Sequence, residues 1–275
     1  MSRPQLPRLS ALLSACCAAA CTPAPPAASS GVPGWTQVWE DDFDGAAGAA
    51  IDGDNWTFDV GGDGWGNSQL EHNTDRTDNV RLDGDGNLVI EARVEDYEGN
   101  AYTSGRIKTQ DRFSLQYGRV EARLKVPKGG GIWPAFWMLG TEIETLGWPT
   151  CGEIDILELR GEEPYTAIGT VHGPGYSGAE GVGAEYTLTD GDFSDDFHVF
   201  AVDIDPGHIA WSVDDVVFHT LTPADLPPDT AWVFDKEFFL ILNVAVGGHF
   251  VGPVDDDALP TQMTVDYVRV YERAG

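Results

Sequence analysis

The sequence predicts an all-β domain, one large β-sandwich over residues 35–275. Three observations carry the prediction. Apolar residues from Trp35 onward alternate with a period of two almost throughout, the pattern of strands with one face on a core and one in water. Glycine and proline, 33 and 17 of the 275 residues, are too many for a helical bundle, because both weaken helix interiors. Turn signals such as Asp83-Gly84-Asp85-Gly86-Asn87, Gly129-Gly130-Gly131, Asp190-Gly191-Asp192 and Asp214-Asp215 separate the apolar runs. No stretch sustains a helical apolar stripe for three turns. With 42% hydrophobic residues and nine Trp, the chain can build a sizeable core.

Residues 1–34 stand before this fold. Arg3 and Arg8 give a short basic start, and residues 9–20 form a leucine and small-residue run too short to span a bilayer. Leu13-Ser14-Ala15-Cys16 resembles a bacterial lipobox, in which the cysteine is lipidated after cleavage before it; Ala18-Ala19-Ala20-Cys21 is a poorer match. An ordinary secretory signal is the alternative, and either reading exports the protein. Residues 22–34, rich in Pro, Ala and Ser, suit an unfolded tether. Cys16, Cys17 and Cys21 fall in the leader, so Cys151 alone remains and cannot form an internal disulfide. A structural role for it is expected.

From Trp35 to the end there is no linker and no repeat. Strands are expected over 88–94, 119–126, 197–203, 209–213 and 264–271, each with alternating apolar residues. The run 237–246 is more apolar and is expected to be a central strand buried on both faces. The formal charge of −29, from 45 acidic and 16 basic residues, repels phosphate backbones and anionic headgroups. Nucleic acid is therefore not an expected partner, and a membrane is expected only through the possible lipid anchor.

Chemistry concentrates in Cys151-Gly152-Glu153-Ile154-Asp155-Ile156-Leu157-Glu158. In a regular strand Glu153 and Asp155 share a face and Glu158 points the other way. One extra residue, a bulge near Ile156 or Leu157, returns Glu158 to the same side. The two glutamate Cα atoms then stand about 13 Å apart at roughly 3.3 Å per residue. Long side chains leaning together can close that gap to the separation of about 5–5.5 Å used by retaining glycosidases. A solvated acidic strand or a metal site are the alternatives that the residues alone leave open.

Glu153-x-Asp155-x-x-Glu158, following the Gly- and Trp-rich segment 129–140, resembles the bulged-strand signature of glycoside hydrolase family sixteen. Trp39-Glu40-Asp41-Asp42-Phe43-Asp44-Gly45 is similar to the family's opening strand. Tyr102-Thr103-Ser104-Gly105-Arg106, residues 117–123 and Gly131-Ile132-Trp133-Pro134-Ala135-Phe136-Trp137-Met138 resemble its central block. Residues 243–248 and 265–271 resemble its closing strands, and residues 170–178, around His172, resemble the laminarinase-like endo-1,3-β-glucanase branch. The resemblance implies a jelly-roll sandwich of two curved antiparallel sheets with a concave cleft.

It also implies roles. Glu153 corresponds to the nucleophile, Glu158 to the general acid/base and Asp155 to a helper carboxylate beside the nucleophile. Trp133 and Trp137, four apart in a strand-like run, share a face where indoles can stack on sugar rings. Asn67, Arg106 and His172 correspond to cleft residues. No cofactor is expected for catalysis. A structural calcium is implied, held by backbone carbonyls at Asp42 and Gly86 and by the Asp266 carboxylate, an oxygen-only set that suits calcium. Leu159-Arg160-Gly161 departs from many relatives, which carry an aromatic or small polar residue there, and leaves subsite preference open.

The expected function is retaining endo-hydrolysis of 1,3-β-glucan by a monomer. Mixed-linkage glucan or a marine galactan is the alternative substrate. A non-catalytic glucan-binding protein is the alternative class, but a pure binder has no use for an acid/base pair.

Overall fold

The computed structural model describes residue 1 and residues 32–275. Cys16 and its lipobox lie outside the described residues. The alternating runs form β1 (Trp35–Asp41), β2 (Thr57–Phe58), β3 (Glu71–Asn73), β4 (Val80–Leu82), β5 (Leu88–Tyr97) and β6 (Asn100–Ser104). They continue as β7 (Arg106–Lys108), β8 (Gly118–Lys125), β9 (Ile132–Gly140), β10 (Glu153–Glu158), β11 (Thr166–His172) and β12 (Val182–Thr187). The last are β13 (His198–Asp205), β14 (His208–Val213), β15 (Val216–Leu221), β16 (Phe238–Val246) and β17 (Thr261–Arg273). The one α-helix among the described residues, α1 (Ile143–Leu146), is a single turn.

Two sheets pack face to face, as the sandwich prediction requires. One runs β15-β14-β13-β8-β17-β5-β6-β3, with β1 on β17 and β4 on β5; the other runs β12-β11-β10-β9-β16-β7-β2. Pairing is antiparallel apart from β3 and β6, which run parallel. This is the one departure from the all-antiparallel expectation. The core lies between the sheets. Val120, Ala122 and Leu124 of β8 and Phe200 and Val202 of β13 meet Phe136 and Met138 of β9 and Leu240, Leu242 and Val244 of β16.

All nine residues of β16 are buried, as its uninterrupted apolar sequence predicts. Its outer face is covered by a second, smaller cluster in which Phe239 and Ile241 pack with Leu139 and Cys151. Cys151 is fully buried there, and burial pushes its thiol up to about 11. It is a packing residue. The strand β9 shows how alternation builds the site. Ile132, Phe136 and Met138 enter the core, while Trp133, Ala135, Trp137 and Leu139 face outward onto one groove.

Candidate active site

The groove crosses the outer face of the seven-stranded sheet and encloses about 310 Å³. Its floor is laid by four neighbouring strands, β10, β9, β16 and β7. From β10 come Glu153, Asp155 and Glu158, which pair in register with Leu139, Trp137 and Ala135 of β9. From β16 comes Asn243, in register with Ala135, and from β7 comes Arg106, in register with Asn243.

The expected bulge is present. Asp155 pairs with Trp137 and Leu157 with Phe136, which leaves Ile156 as the extra residue on β10. The register toward β11 shifts at the same place, between Asp155 and Glu158. Ile154, Ile156 and Leu157 stay in the core, and all three acids reach the groove. Without the extra residue, Glu158 would be turned inward.

Each glutamate receives one indole N–H. Trp148 Nε1 donates to Glu153 Oε2 at 2.9 Å, and Trp133 Nε1 donates to Glu158 Oε1 at 3.1 Å. Asp155, 3% exposed, lies between the two glutamates on β10. No hydrogen bond joins it to Glu153. Its Oδ2 faces His172 Nε2 at 3.1 Å, and the same nitrogen stands 3.7 Å from Glu153 Oε1. The reason is register: His172 lies directly across from Glu153 on β11. His172 therefore stands beside the carboxylates, on the same face of the sheet.

Glu153, Asp155 and His172 hold ligand-type atoms within 4.8 Å of one another, so a metal was a legitimate alternative. His172 Nδ1 and Asp155 Oδ2 are both buried without a hydrogen-bond partner, so the three groups are set close together but are not joined by hydrogen bonds.

Burial pushes Glu153 up to about 8, with repulsion from Asp155 adding to it. Burial pushes Glu158 up to about 8 as well, again with repulsion from Asp155, and lifts Asp155 to about 8. Three carboxyls in one desolvated wall do not all ionise at neutral pH. The group retains protons where an isolated surface acid would have none.

The remaining expected residues also converge. Arg106 is sandwiched between Trp65 and Trp137, 4.8 Å from each ring, with Nε 2.9 Å from Asp59 Oδ2. Trp137 is fixed from its other edge, where Nε1 donates to Asn243 Oδ1 at 2.8 Å. Asn67 sits on the rim in a turn whose Trp65 and Ser68 both take left-handed backbone, with φ of 49° and 58°. That conformation is costly for a tryptophan, and the Arg106 stack holds it. Sequence reasoning gave no role to Trp65, Trp148 or Asn243. Asn243 carried a signal, as the lone polar residue in β16. Trp148 carried none beyond its being a tryptophan in a Gly- and Pro-bounded loop.

Comparison with known proteins decides the family. The family described as glycosyl hydrolases family 16 matches residues 65–269. The chain belongs to glycosyl hydrolases family 16. It is 43% identical over 249 residues to a beta-glucanase of Rhodothermus marinus, covering 87% of this chain and 86% of that protein. Its fold is similar to that of an endo-beta-1,3-glucanase from Pyrococcus furiosus, with a TM-score of 0.83 and 45% identity over 88% of this chain and 95% of that one. It is similar also to the laminarinase catalytic domain from Thermotoga maritima, with a TM-score of 0.82 and 45% identity over 88% and 99% of the two chains. The family 16 jelly roll is thus the architecture on which these three acids are mounted.

The positions implied for calcium lie away from the groove. A Cβ on Gly86 would lie 4.0 Å from the Asp42 carbonyl oxygen and 3.7 Å from Asp44 Oδ1, so oxygens converge on that glycine. Asp266 stands two residues before Val268, which pairs with Asp41. Asp266 Oδ2 is taken by Arg123 Nη1 at 2.6 Å, which leaves one carboxylate oxygen for a cation. All three positions offer oxygen atoms, the donor class that calcium takes.

Proposed function

We propose that this family 16 enzyme is a retaining endo-β-glucanase acting on 1,3-β-glucans. The observation that carries the reading is the bulge at Ile156, which puts Glu153 and Glu158 on one indole-lined groove wall with Asp155 between them. The relatives' named substrates agree with it.

Burial raises both glutamates alike, so their separate roles are taken from the family resemblance. Glu158, protonated through its raised affinity for protons, gives its proton to the glycosidic oxygen as that bond breaks. Glu153, as a carboxylate that accepts the Trp148 N–H and faces the His172 ring, attacks the anomeric carbon and forms a glycosyl ester. Water then attacks the same carbon, Glu158 takes the water's proton, and the ester breaks to return Glu153 as carboxylate. Asp155, by its charge between them, sets how many protons the group can lose. Trp133 and Trp137 offer stacking faces to sugar rings, with Asn67 contributing polar contacts at the rim.

Glu153→Gln should lower laminarin turnover by several orders of magnitude while the melting temperature holds. Proton NMR of early wild-type products should show the β-anomer first. More than about a tenth of wild-type turnover in the variant, or initial α-product, would overturn the mechanism.

The reading extends to the cell. Cys16 is proposed as a lipidated N-terminus, with residues 22–34 tethering an exported, monomeric domain. A calcium held through Asp42, Gly86 and Asp266 is proposed as purely structural.

A further inference from the structure

The bulge that assembles the carboxyl pair is itself held from the opposite sheet. We propose that Trp211 is a positioning residue, whose indole N–H fixes the β10 bulge and thereby the place of Glu158 relative to Glu153. The proposal rests on the reading of those two glutamates as the reacting pair.

A bulge disrupts the local ladder and leaves backbone groups in need of another partner. Asp155 is the last residue in register before the extra Ile156. Its carbonyl oxygen accepts a hydrogen bond from Trp211 Nε1 at 2.8 Å, a contact that is wholly buried. Trp211 is 0% exposed and lies on β14, so the indole reaches across the core from the ten-stranded sheet to the catalytic strand. A buried indole needs an acceptor, and a bulge carbonyl needs a donor; each satisfies the other.

The surroundings are shaped for this one contact. Thr170 and Ile168 of β11 pair with Asp155 and Glu158, so Gly169 between them stands opposite the irregular stretch. A Cβ on Gly169 would lie 2.6 Å from Trp211 Cδ1. Only a residue without a side chain leaves room for the indole. His219 also stacks on Trp211, with ring centroids 5.1 Å apart and an interplanar angle of 30°. The indole is thus packed against both Gly169 and His219, with its N–H on the bulge carbonyl. None of these three residues lines the groove.

Trp211→Phe retains an aromatic filler and removes the donor. We expect kcat on laminarin, per mole of folded enzyme, to fall at least tenfold with KM within about twofold. The activity-independent readout is a carbon-13 NMR titration of the Glu158 carboxyl, assigned by its loss in Glu158→Gln. With the bulge released, Glu158 should titrate at least half a pH unit lower than in wild type, as it leaves its desolvated seat beside Asp155. Gly169→Ala provides the same test if Trp211→Phe does not fold, because it keeps the N–H but pushes the ring off the carbonyl. A lower melting temperature with unchanged kcat and unchanged Glu158 titration in the folded variant would reduce Trp211 to core filler and overturn the proposal. Should Glu153→Gln stay active while the Glu158 titration still moves, it is the assignment of the reacting pair that fails.

Discussion

Among single residues, Glu71 is the one whose chemistry the sequence least reveals. It sits in a short polar strand, is 0% exposed, and accepts a hydrogen bond from the Val246 N–H at 2.8 Å. Burial pushes its carboxyl up to about 7. Asn73 Oδ1 beside it is buried without a partner, and turning that amide over would set the oxygen against a protonated Glu71. The folded-state value lies above the unfolded one. The contribution of Glu71 to stability is therefore fully present below about pH 4.5 and falls away as pH rises to about 7, a loss on the order of 3 kcal/mol. Glu71→Gln should match wild type in urea unfolding near pH 4.5 and exceed it at pH 8; equal stability at pH 8 would mean that Glu71 ionises freely. The three groove acids, by contrast, were legible from spacing and one inserted residue. Their neighbours were not, because Trp148, Trp65 and Trp211 act through indole N–H groups and ring faces whose direction no local pattern encodes.

Elements were read more fully than contacts. Period-two alternation located β5, β8, β13, β14 and β17 within a few residues, because one face of each is wet. The unbroken apolar run of β16 correctly announced burial on both faces. Pairing of β3 with β6 in parallel had no local signature, since strand direction is decided by the path of the loops between. The segment after β16 shows what an element can do that its sequence hides. His249 N–H donates to the Asn67 carbonyl at 3.0 Å on one rim, and Gly252 N–H donates to Glu162 Oε1 at 2.5 Å on the other. Between them Phe250 lies 4.8 Å from Trp133 and beneath the Arg160 guanidinium at 4.3 Å, while Arg160 Nε donates to the Phe250 carbonyl at 3.0 Å. The departure at Arg160 is therefore a clamp on an aromatic ring beside a groove tryptophan. A cation–π contact of about 0.5–1 kcal/mol plus a hydrogen bond of about 1 kcal/mol predicts that Arg160→Ala raises KM for laminarin roughly ten- to thirtyfold if the clamp is fully felt in the groove, with kcat changed less. Steady-state kinetics on polymer and on short oligosaccharides check this; an unchanged KM on polymer would leave the clamp without a role in binding.

For the whole molecule, fold class and groove chemistry were both within reach of the sequence because one strand, β10, carries the acids and its neighbours carry the aromatics. Leader chemistry was legible only as a motif. If Cys16 is acylated, the acidic domain should sediment with membranes, and Cys16→Ser should release it or block its processing; an intact mass showing an unmodified start beyond Cys21 would refute the anchor. The placement of the acids also bears on how a polymer is cut. They stand on the floor of a groove crossing β7, β16, β9 and β10. A strand of glucan laid across that floor is severed wherever it happens to rest, so a laminarin solution should thin well before its reducing ends accumulate.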